Sequence, residues 1–138
     1  MKKMNFIISS NSFETFAKMV ILGTTGSAMD VEMNYFFTFW GLFLLKKGYS
    51  AKVQAFPWPM NKMGAWMFKK KLKGYGYEDL WKMVEEQVKE GKMKLYPCGM
   101  TMEMLGIKKK DLLPFCEEPL GAASFIEMCE DADSVLHM

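Results

Sequence analysis

Histidine is nearly absent from this sequence, since His137 is the single one. A Ser-His-Asp triad or a metal site built from several histidines is therefore not expected, and we predict no metal. The three cysteines form no Cys-x-x-Cys pair, which argues against both a disulfide framework and a zinc site. Unpaired thiols are typical of a reducing compartment, so we expect a cytoplasmic protein.

Long apolar runs are also missing. The most apolar stretch, residues 35–45, is eleven residues long and ends at Lys46, whereas a membrane-spanning helix needs about twenty. Lys2 and Lys3 resemble the start of a signal peptide, but only three apolar residues, 6–8, follow before polar ones. We expect no membrane span. The formal net charge of +2 is too small to indicate nucleic-acid binding.

The sequence also lacks the glycine-rich loops that bind phosphate groups. Neither GxGxxG nor GxxxxGK[ST] follows a predicted strand, so Rossmann and P-loop sites have no support. The polar turn at residues 9–12 contains Ser9 and Asn11, which could contact a phosphate at a helix N-terminus. The same residues are more often plain helix caps. The lysine run at residues 108–110 is more often a solvated face than a docking patch for an acidic partner.

The pattern of strands and helices predicts an α/β protein. At 138 residues, the chain fits a single domain spanning residues 1–138. The predicted strands are 3–9, 31–39, 92–97 and 134–138, with a further short strand at 52–56. The predicted helices after the first are 41–47, 78–90, 99–105, 108–113 and 121–129. Strands that alternate with helices indicate a largely parallel sheet with helices on both faces.

The first predicted helix follows the polar turn. Asn11 and Glu14 resemble a capping pair that opens it, and the apolar residues that follow recur at helical spacing. Gly23 and Gly26 lie late in the pattern and indicate a fraying end.

Residues 57–77 are rich in Met, Trp and Lys and fit no element clearly. Long connections of this kind are either functional or disordered, and their aromatic content argues against disorder. We interpret this segment as a partly helical flap that covers a site or meets another subunit.

Cys98 is the leading candidate for chemistry because it follows a strand and precedes a helix. Ligands of parallel α/β sheets bind beyond the carboxyl ends of the strands. A helix N-terminus favours a thiolate, which is both a nucleophile and a leaving group. We expect Cys98 to be exposed, with Gly99 allowing close approach of a partner. From position alone, a buried and inert cysteine is about equally compatible. Cys116 lies in a loop, and Cys129 fits a core position.

The second strand ends in an aromatic run, Phe-Phe-Thr-Phe-Trp-Gly, at residues 36–41. One interpretation is a buried strand that leads into a helix. The other is that Thr38 and Trp40 emerge at the same sheet edge as Cys98 and supply a hydroxyl and an aromatic wall to its pocket.

Two segments together resemble a known family. Residues 35–41 read Tyr-Phe-Phe-Thr-Phe-Trp-Gly and residues 98–107 read Cys-Gly-Met-Thr-Met-Glu-Met-Leu-Gly-Ile. In this order, and with Gly-Ala-Ala at residues 121–123, they resemble the DsrE/DsrF-like sulfurtransferases (DsrEFH) over nearly the whole chain. The resemblance implies a flavodoxin-like α/β/α sandwich with a mostly parallel, five-stranded sheet. It also implies assembly into oligomers.

The resemblance further implies that Cys98 carries sulfur as a persulfide. A donor persulfide or thiosulfonate supplies the sulfur, and an acceptor thiol removes it. The expected partners are TusA-like or rhodanese-like sulfur carriers, and no cofactor is required. We expect Gly99, Met100 and Thr101 to support the site. Some relatives have a second cysteine in the Cys98 helix, where this chain has Met and Thr, so Cys116 is the candidate second thiol.

Two alternatives stay open from the sequence. One is a nucleotide- or flavin-binding module of the same fold, with residues 9–12 and Trp40 as contacts and Cys98 incidental. The other is a structural assembly partner with a silent cysteine. Whether a sulfur carrier of this kind also turns over as an enzyme is equally open.

Overall fold

The computed structural model describes residues 2–52, 63, 66–67 and 76–138. Its strands are β1 (Lys3–Ile8), β2 (Glu32–Phe37), β3 (Met93–Pro97) and β4 (Ser134–His137). They form one sheet in the order β3-β2-β1-β4, and every neighbouring pair is parallel. The α/β class and the parallel sheet flanked by helices, both predicted from the sequence, are therefore confirmed.

Within residues 2–52 and 76–138, four α-helices and two short 3₁₀ helices connect and cover these strands. The α-helices are α1 (Phe13–Ala28), α2 (Tyr77–Lys89), α3 (Gly99–Leu105) and α4 (Ala122–Met128). The 3₁₀ helices span Phe39–Leu45 and Lys109–Asp111. No helix among the described residues has the length and apolar character needed to cross a membrane.

The two faces of the sheet differ in depth of packing. Successive strand residues point to opposite faces, so Tyr35 and Phe37 lie on one face of β2 and Phe36 lies on the other. The first face forms the main core with α1 and α2, and both Tyr35 and Phe37 are fully buried. The second face carries a smaller cluster in which Phe36 stacks on Phe125 of α4 with ring centroids 4.5 Å apart. Helices therefore cover both faces.

The expectation of five strands is wrong for the described chain, which forms four. The outer edge of β3 is instead lined by residues 117–120, whose N–H groups at Glu117 and Leu120 donate to Leu95 and Pro97. Pro119 interrupts this stretch and lacks an N–H, so a regular ladder cannot form. The order also departs from the flavodoxin order 2-1-3-4-5, because β2 pairs with both β1 and β3.

The N-cap of the first helix lies one residue later than predicted. Ser12, not Asn11, is the N-cap, and its hydroxyl accepts from the Thr15 N–H. The glycines that predicted a fraying end lie buried inside α1. A Cβ built on Gly23 would sit 2.6 Å from Met93 Cε, and one on Gly26 would sit 2.3 Å from a methionine sulfur, so these glycines let α1 approach the sheet.

The second strand ends at Phe37, two residues earlier than predicted, and the following helix is 3₁₀ rather than α. Phe39 has φ +47°, a conformation that non-glycine residues rarely adopt. Gly41 passes so close to β1 that a Cβ there would lie 2.1 Å from the Ile8 carbonyl oxygen. This tight turn holds the 3₁₀ helix against the carboxyl edge of the sheet.

Two further predictions concern residues 53–75, most of which lie outside the described part of the chain. The short strand at 52–56 can be followed only to Lys52, which forms an isolated bridge with Ser12. The proposed flap at 57–77 is described only at Met63, Trp66 and Met67, and from residue 76 onward. Its role stays a prediction.

Candidate functional site

Cys98 lies where the sequence predicts it, between a strand and a helix. Pro97 ends β3, Cys98 is the N-cap of α3, and its carbonyl accepts from the Met102 N–H. Its own N–H donates to Phe37 O at the end of β2, so two neighbouring strands fix its position. Gly106 ends the helix at φ +66°, a conformation natural to glycine.

The expected exposure of Cys98 is wrong, because the residue is only 6% exposed. It packs with Phe36 and Phe125 in the smaller cluster, against which Leu120 also packs. The segment that lines β3 brings Leu120 close, since Gly99 N–H donates to Leu120 O over 3.0 Å. α4 and this segment therefore cover the cysteine, a long-range effect that local sequence does not reveal.

Two threonines meet beside Cys98. Thr38 follows β2 and Thr101 lies in the first turn of α3, and their hydroxyl oxygens are 3.1 Å apart. The Phe39 N–H donates to Thr101 Oγ1 over 3.2 Å, which leaves the Thr101 proton free to point elsewhere. The prediction that Thr38 emerges at the same edge as Cys98 therefore agrees with its position, and Thr101 joins it.

The thiol of Cys98 is held in an environment that favours its charged form. Burial raises the pKa of Cys98, but hydrogen bonds from the Thr101 hydroxyl and N–H, the Thr38 hydroxyl and the Met100 N–H lower it by more, so the net pKa lies below that of an ordinary thiol. The two N–H groups belong to the first turn of α3 and have no partner within the helix. The site is thus built to hold negative charge on sulfur.

The other residues predicted to support Cys98 differ in their exposure and contacts. A Cβ on Gly99 would meet its nearest neighbours at 3.8 Å, an ordinary contact, so the position is not closed to other residues. Met100 is 68% exposed and contributes its backbone N–H rather than a pocket wall. Trp40 is also exposed, and its ring stacks on Phe43 with centroids 5.9 Å apart. Its role as an aromatic wall stays a prediction.

Ser9 and Asn11 lie at the end of β1 and bond within the protein. Ser9 Oγ is 2.7 Å from His137 Nε2, and the Asn11 carbonyl accepts from the Tyr49 hydroxyl. Ser12 caps α1. These bonds match the helix-cap interpretation of residues 9–12, and nothing in the described chain links them to Cys98.

Cys116 does not share the surroundings of Cys98. It packs against the main core, and the adjacent Glu117 N–H donates to Leu95 O, halfway along β3. Burial, together with the Glu117 carboxylate, raises the pKa of Cys116 to about 12. The residue of this segment that approaches Cys98 is Leu120.

Cys129, which the sequence assigned to the core, packs against the same small cluster as Cys98. It is the C-cap of α4, and Asn5 Nδ2 donates to its sulfur over 3.5 Å. Sequence patterns gave no signal for this, because the contact depends on α4 crossing the second face of the sheet. Among the described residues, no three His, Cys, Asp or Glu side chains cluster as metal ligands would.

A parallel α/β domain with a thiolate-favouring cysteine at the carboxyl edge of its sheet is a class of protein suited to carrying groups on sulfur. The chain belongs to the DsrE/DsrF/DrsH-like family, whose model matches residues 1–59 and 50–137. The family expected from the sequence is thereby confirmed.

Two curated relatives align along nearly their whole length. The sulfur carrier protein DsrE2 of Allochromatium vinosum is 28% identical over 159 aligned positions, covering 99% of this chain and 98% of that protein. The uncharacterized protein YrkE of Bacillus subtilis is 27% identical over 150 positions, covering 94% and 92%. Both alignments therefore span more than nine-tenths of each chain.

Solved structures show the same fold at much lower identity. The ychN protein from E. coli superposes with a TM-score of 0.65 at 13% identity and full coverage of both chains. Protein MTH1491 of unknown function from Methanobacterium thermoautotrophicum gives a TM-score of 0.61 at 13% identity, with 99% of both chains covered. At this identity the likeness concerns the fold alone.

Proposed function

We propose that this protein is a sulfur carrier that holds sulfane sulfur as a persulfide on Cys98 and passes it to an acceptor protein thiol. The observation that carries the proposal is the set of donors on the Cys98 sulfur, from Thr101, Thr38 and the Met100 N–H. Family membership, and a relative described as a sulfur carrier, support the same assignment.

The transfer needs no cofactor and no net oxidation. The Cys98 thiolate attacks the outer sulfur of a donor persulfide, R–S–S⁻. The Cys98–sulfur bond forms as the donor S–S bond breaks, and the electron pair leaves with R–S⁻. The product is Cys98–S–S⁻, with the charge now on the outer sulfur. In the second half, an acceptor thiolate attacks that outer sulfur, and Cys98 leaves as the thiolate.

The donors around Cys98 act in both halves of this exchange. A lowered pKa increases the fraction of Cys98 that is ionised and able to act as the nucleophile, and it makes Cys98 the better leaving group when sulfur is passed on. Such donors are worth most where water is excluded, and the 6% exposure of Cys98 provides that setting. Burial also limits access of stray reductants to the bound sulfur.

Exposed apolar side chains flank the site and support exchange with proteins rather than small molecules. Phe39, Trp40, Met100 and Met104 are each more than half exposed. Phe39 is tied to Thr101 by its N–H, and Met100 and Met104 share one face of α3. Aromatic and Met side chains are enriched in protein interfaces. TusA-like or rhodanese-like carriers are the partners we propose, in the cytoplasm.

Self-assembly is part of the proposal as well. β4 is an edge strand of the described sheet, and its Val135 and Leu136 are each 43% exposed. An exposed apolar edge strand is a common site of pairing between chains. Native mass spectrometry measures the oligomeric state directly, and a single protomer at micromolar concentration would contradict this part.

The decisive test is mass spectrometry after incubation with a polysulfide donor. We expect a gain of about 32 Da, one sulfur atom, that cyanide removes, together with a further transfer to an added TusA-like carrier protein. Cys98→Ser abolishes the gain, whereas Cys116→Ser and Cys129→Ser, the matched controls, retain it. An equal gain on all three cysteines, or none on Cys98, would reject the proposal.

A further inference from the structure

Two lysine runs that are distant in sequence meet on one side of the molecule. Lys46 and Lys47 follow the first 3₁₀ helix, and Lys108–Lys110 follow α3. The Lys47 N–H donates to Asp111 O over 2.8 Å, and Lys46 forms an isolated antiparallel bridge with Leu112. We call these five residues the lysine cluster.

The lysine cluster surrounds an open cavity of about 330 Å³. Lys47, Lys109 and Lys110 line it, with Cys116 and Glu117 among its other walls. All five lysines of the cluster are exposed. Of these five lysines, only Lys109 has an ion-pair partner within the described chain, Glu118. Three lysines and one carboxylate, that of Glu117, line the cavity, so its concave surface keeps a net positive charge.

The cluster lies within reach of a partner that occupies the Cys98 site. α3 has seven residues, so it spans about 10 Å from Cys98 to its end, and Lys108 follows three residues after that end. Cys98 is not among the residues that line the cavity, and no lining residue belongs to the cluster around Cys98, so an anion held there does not contact the Cys98 sulfur. An extended polypeptide covers the same distance in about four residues.

We propose that the lysine cluster docks an acidic segment of the protein that exchanges sulfur with Cys98. The inference rests on the proposed sulfur-carrier function and adds the chemistry of the partner. The charge of the cluster requires an acidic ligand, and its separation from Cys98 requires a chain that bridges the two. The net charge of +2 for the whole protein is too small to draw nucleic acid to the same surface.

Synthetic acceptor peptides test the inference on the intact protein. One peptide has a cysteine, a spacer of about four Gly/Ser residues and a run of about five Asp; its control has Asn for each Asp. Starting from Cys98 persulfide, we expect sulfur transfer to the acidic peptide to be about tenfold faster at low salt. The advantage disappears at about 0.5 M NaCl, where the Debye length is only a few ångströms.

Charge variants locate the effect. Lys47→Gln, Lys109→Gln and Lys110→Gln together remove the advantage of the acidic peptide. The control variant combines Lys2→Gln, Lys18→Gln and Lys89→Gln, which removes the same charge from other exposed positions and preserves the advantage. Lys89 pairs with Glu85, so each triple variant includes one lysine that forms an ion pair.

Four outcomes would overturn the inference. Equal rates for both peptides, or equal losses in both triple variants, remove the docking role while leaving the sulfur-carrier function intact. Inhibition by sulfate beyond that of NaCl at equal ionic strength assigns the cavity to a small anion instead. If neither peptide nor a small thiol accepts sulfur, the proposed function itself fails and the docking role fails with it.

Discussion

Thr38 and Thr101 join the ends of two neighbouring strands through hydroxyl oxygens 3.1 Å apart. Thr38 belongs to the turn after β2, and Thr101 to the helix after β3. The hydroxyls of both threonines lower the pKa of Cys98, so donors from the ends of two strands act on one sulfur. The thiolate-favouring site is therefore a property of the sheet edge, and its donors can be removed one at a time.

Replacing either threonine by Val should raise the pKa of Cys98, because a donor to the thiolate is lost while the volume of the side chain is kept. Alkylation by iodoacetamide, followed against pH, measures this. At pH values where the parent thiol is only partly ionised, the rate should fall several-fold. Above both pKa values the rates should converge. Thr25→Val, on the exposed side of α1, is the control; an unchanged profile in Thr101→Val would show that its hydroxyl does not act on the sulfur.

Shortening Leu120 to Ala should expose Cys98, because Leu120 packs against the cluster that covers it. We expect alkylation of Cys98 to become faster, with a loss of roughly 2 kcal/mol in the free energy of unfolding. Leu105→Ala truncates a more exposed leucine on α3 and should change neither quantity much. A Cys98 that reacts at the parent rate in Leu120→Ala would mean that α4 alone controls access.

Replacing Met100 and Met104 by Gln should slow sulfur transfer to a TusA-like carrier protein by about tenfold, since exposed apolar contacts at an interface are lost. Transfer to glutathione should be unchanged, because the donors to the Cys98 sulfur remain. The matched control is Ile21→Gln with Met29→Gln, which alters two equally exposed apolar residues of α1 and its cap. Equal slowing with both acceptors would indicate damage to the site instead of a lost docking surface.

Adding a methyl group at Gly41 should destabilise the fold by about 1–3 kcal/mol, since the Ile8 backbone occupies that space. Unfolding in urea measures the change. Gly99→Ala has ordinary contacts only and should be nearly neutral or slightly stabilising. Because Gly41 N–H donates to Thr38 O, Gly41→Ala should also disturb the donors of Cys98 and slow its alkylation.

Cys116 should remain unmodified at neutral pH while Cys98 reacts. The pKa of Cys116 is raised to about 12 by burial and by the Glu117 carboxylate, so little thiolate is present. Peptide mapping after a short exposure to iodoacetamide measures the order, and the same treatment in urea should equalise the thiols. Fast labelling of native Cys116 would restore it as a candidate second thiol.

Much of the fold was accessible from local pattern. Three features follow from local pattern: the strand β3 from its apolar residues Met93, Leu95 and Tyr96, the turn after it from Pro97, and the end of the next helix from Gly106. The helix predicted at 78–90 is also present as α2, and Glu85 and Lys89 form an ion pair along it with atoms 3.2 Å apart. These features depend on residues a few positions apart, which is the range over which sequence patterns are informative.

The predictions that the structure contradicts failed for a different reason. The first-helix glycines look like weak helix formers, yet Met93 and Met33 occupy the space where their side chains would stand. The outer edge of β3 is lined by residues 117–120, whose bonds to Leu95 and Pro97 join segments more than twenty residues apart. In each case the deciding contact joins residues far apart in the chain, so no window of sequence contains both partners.

The sequence by itself placed Cys98 at a strand-to-helix turn and identified the family, because turns, helix caps and family motifs are recognised from residues that are close together in the chain. Only the tertiary structure decided that Cys98 is covered and that Thr38 and Thr101 meet beside it. It also brings two lysine runs together beside a cavity. Packing of α4 and alignment of strand ends set these properties, and both arise from the assembly of the whole sheet.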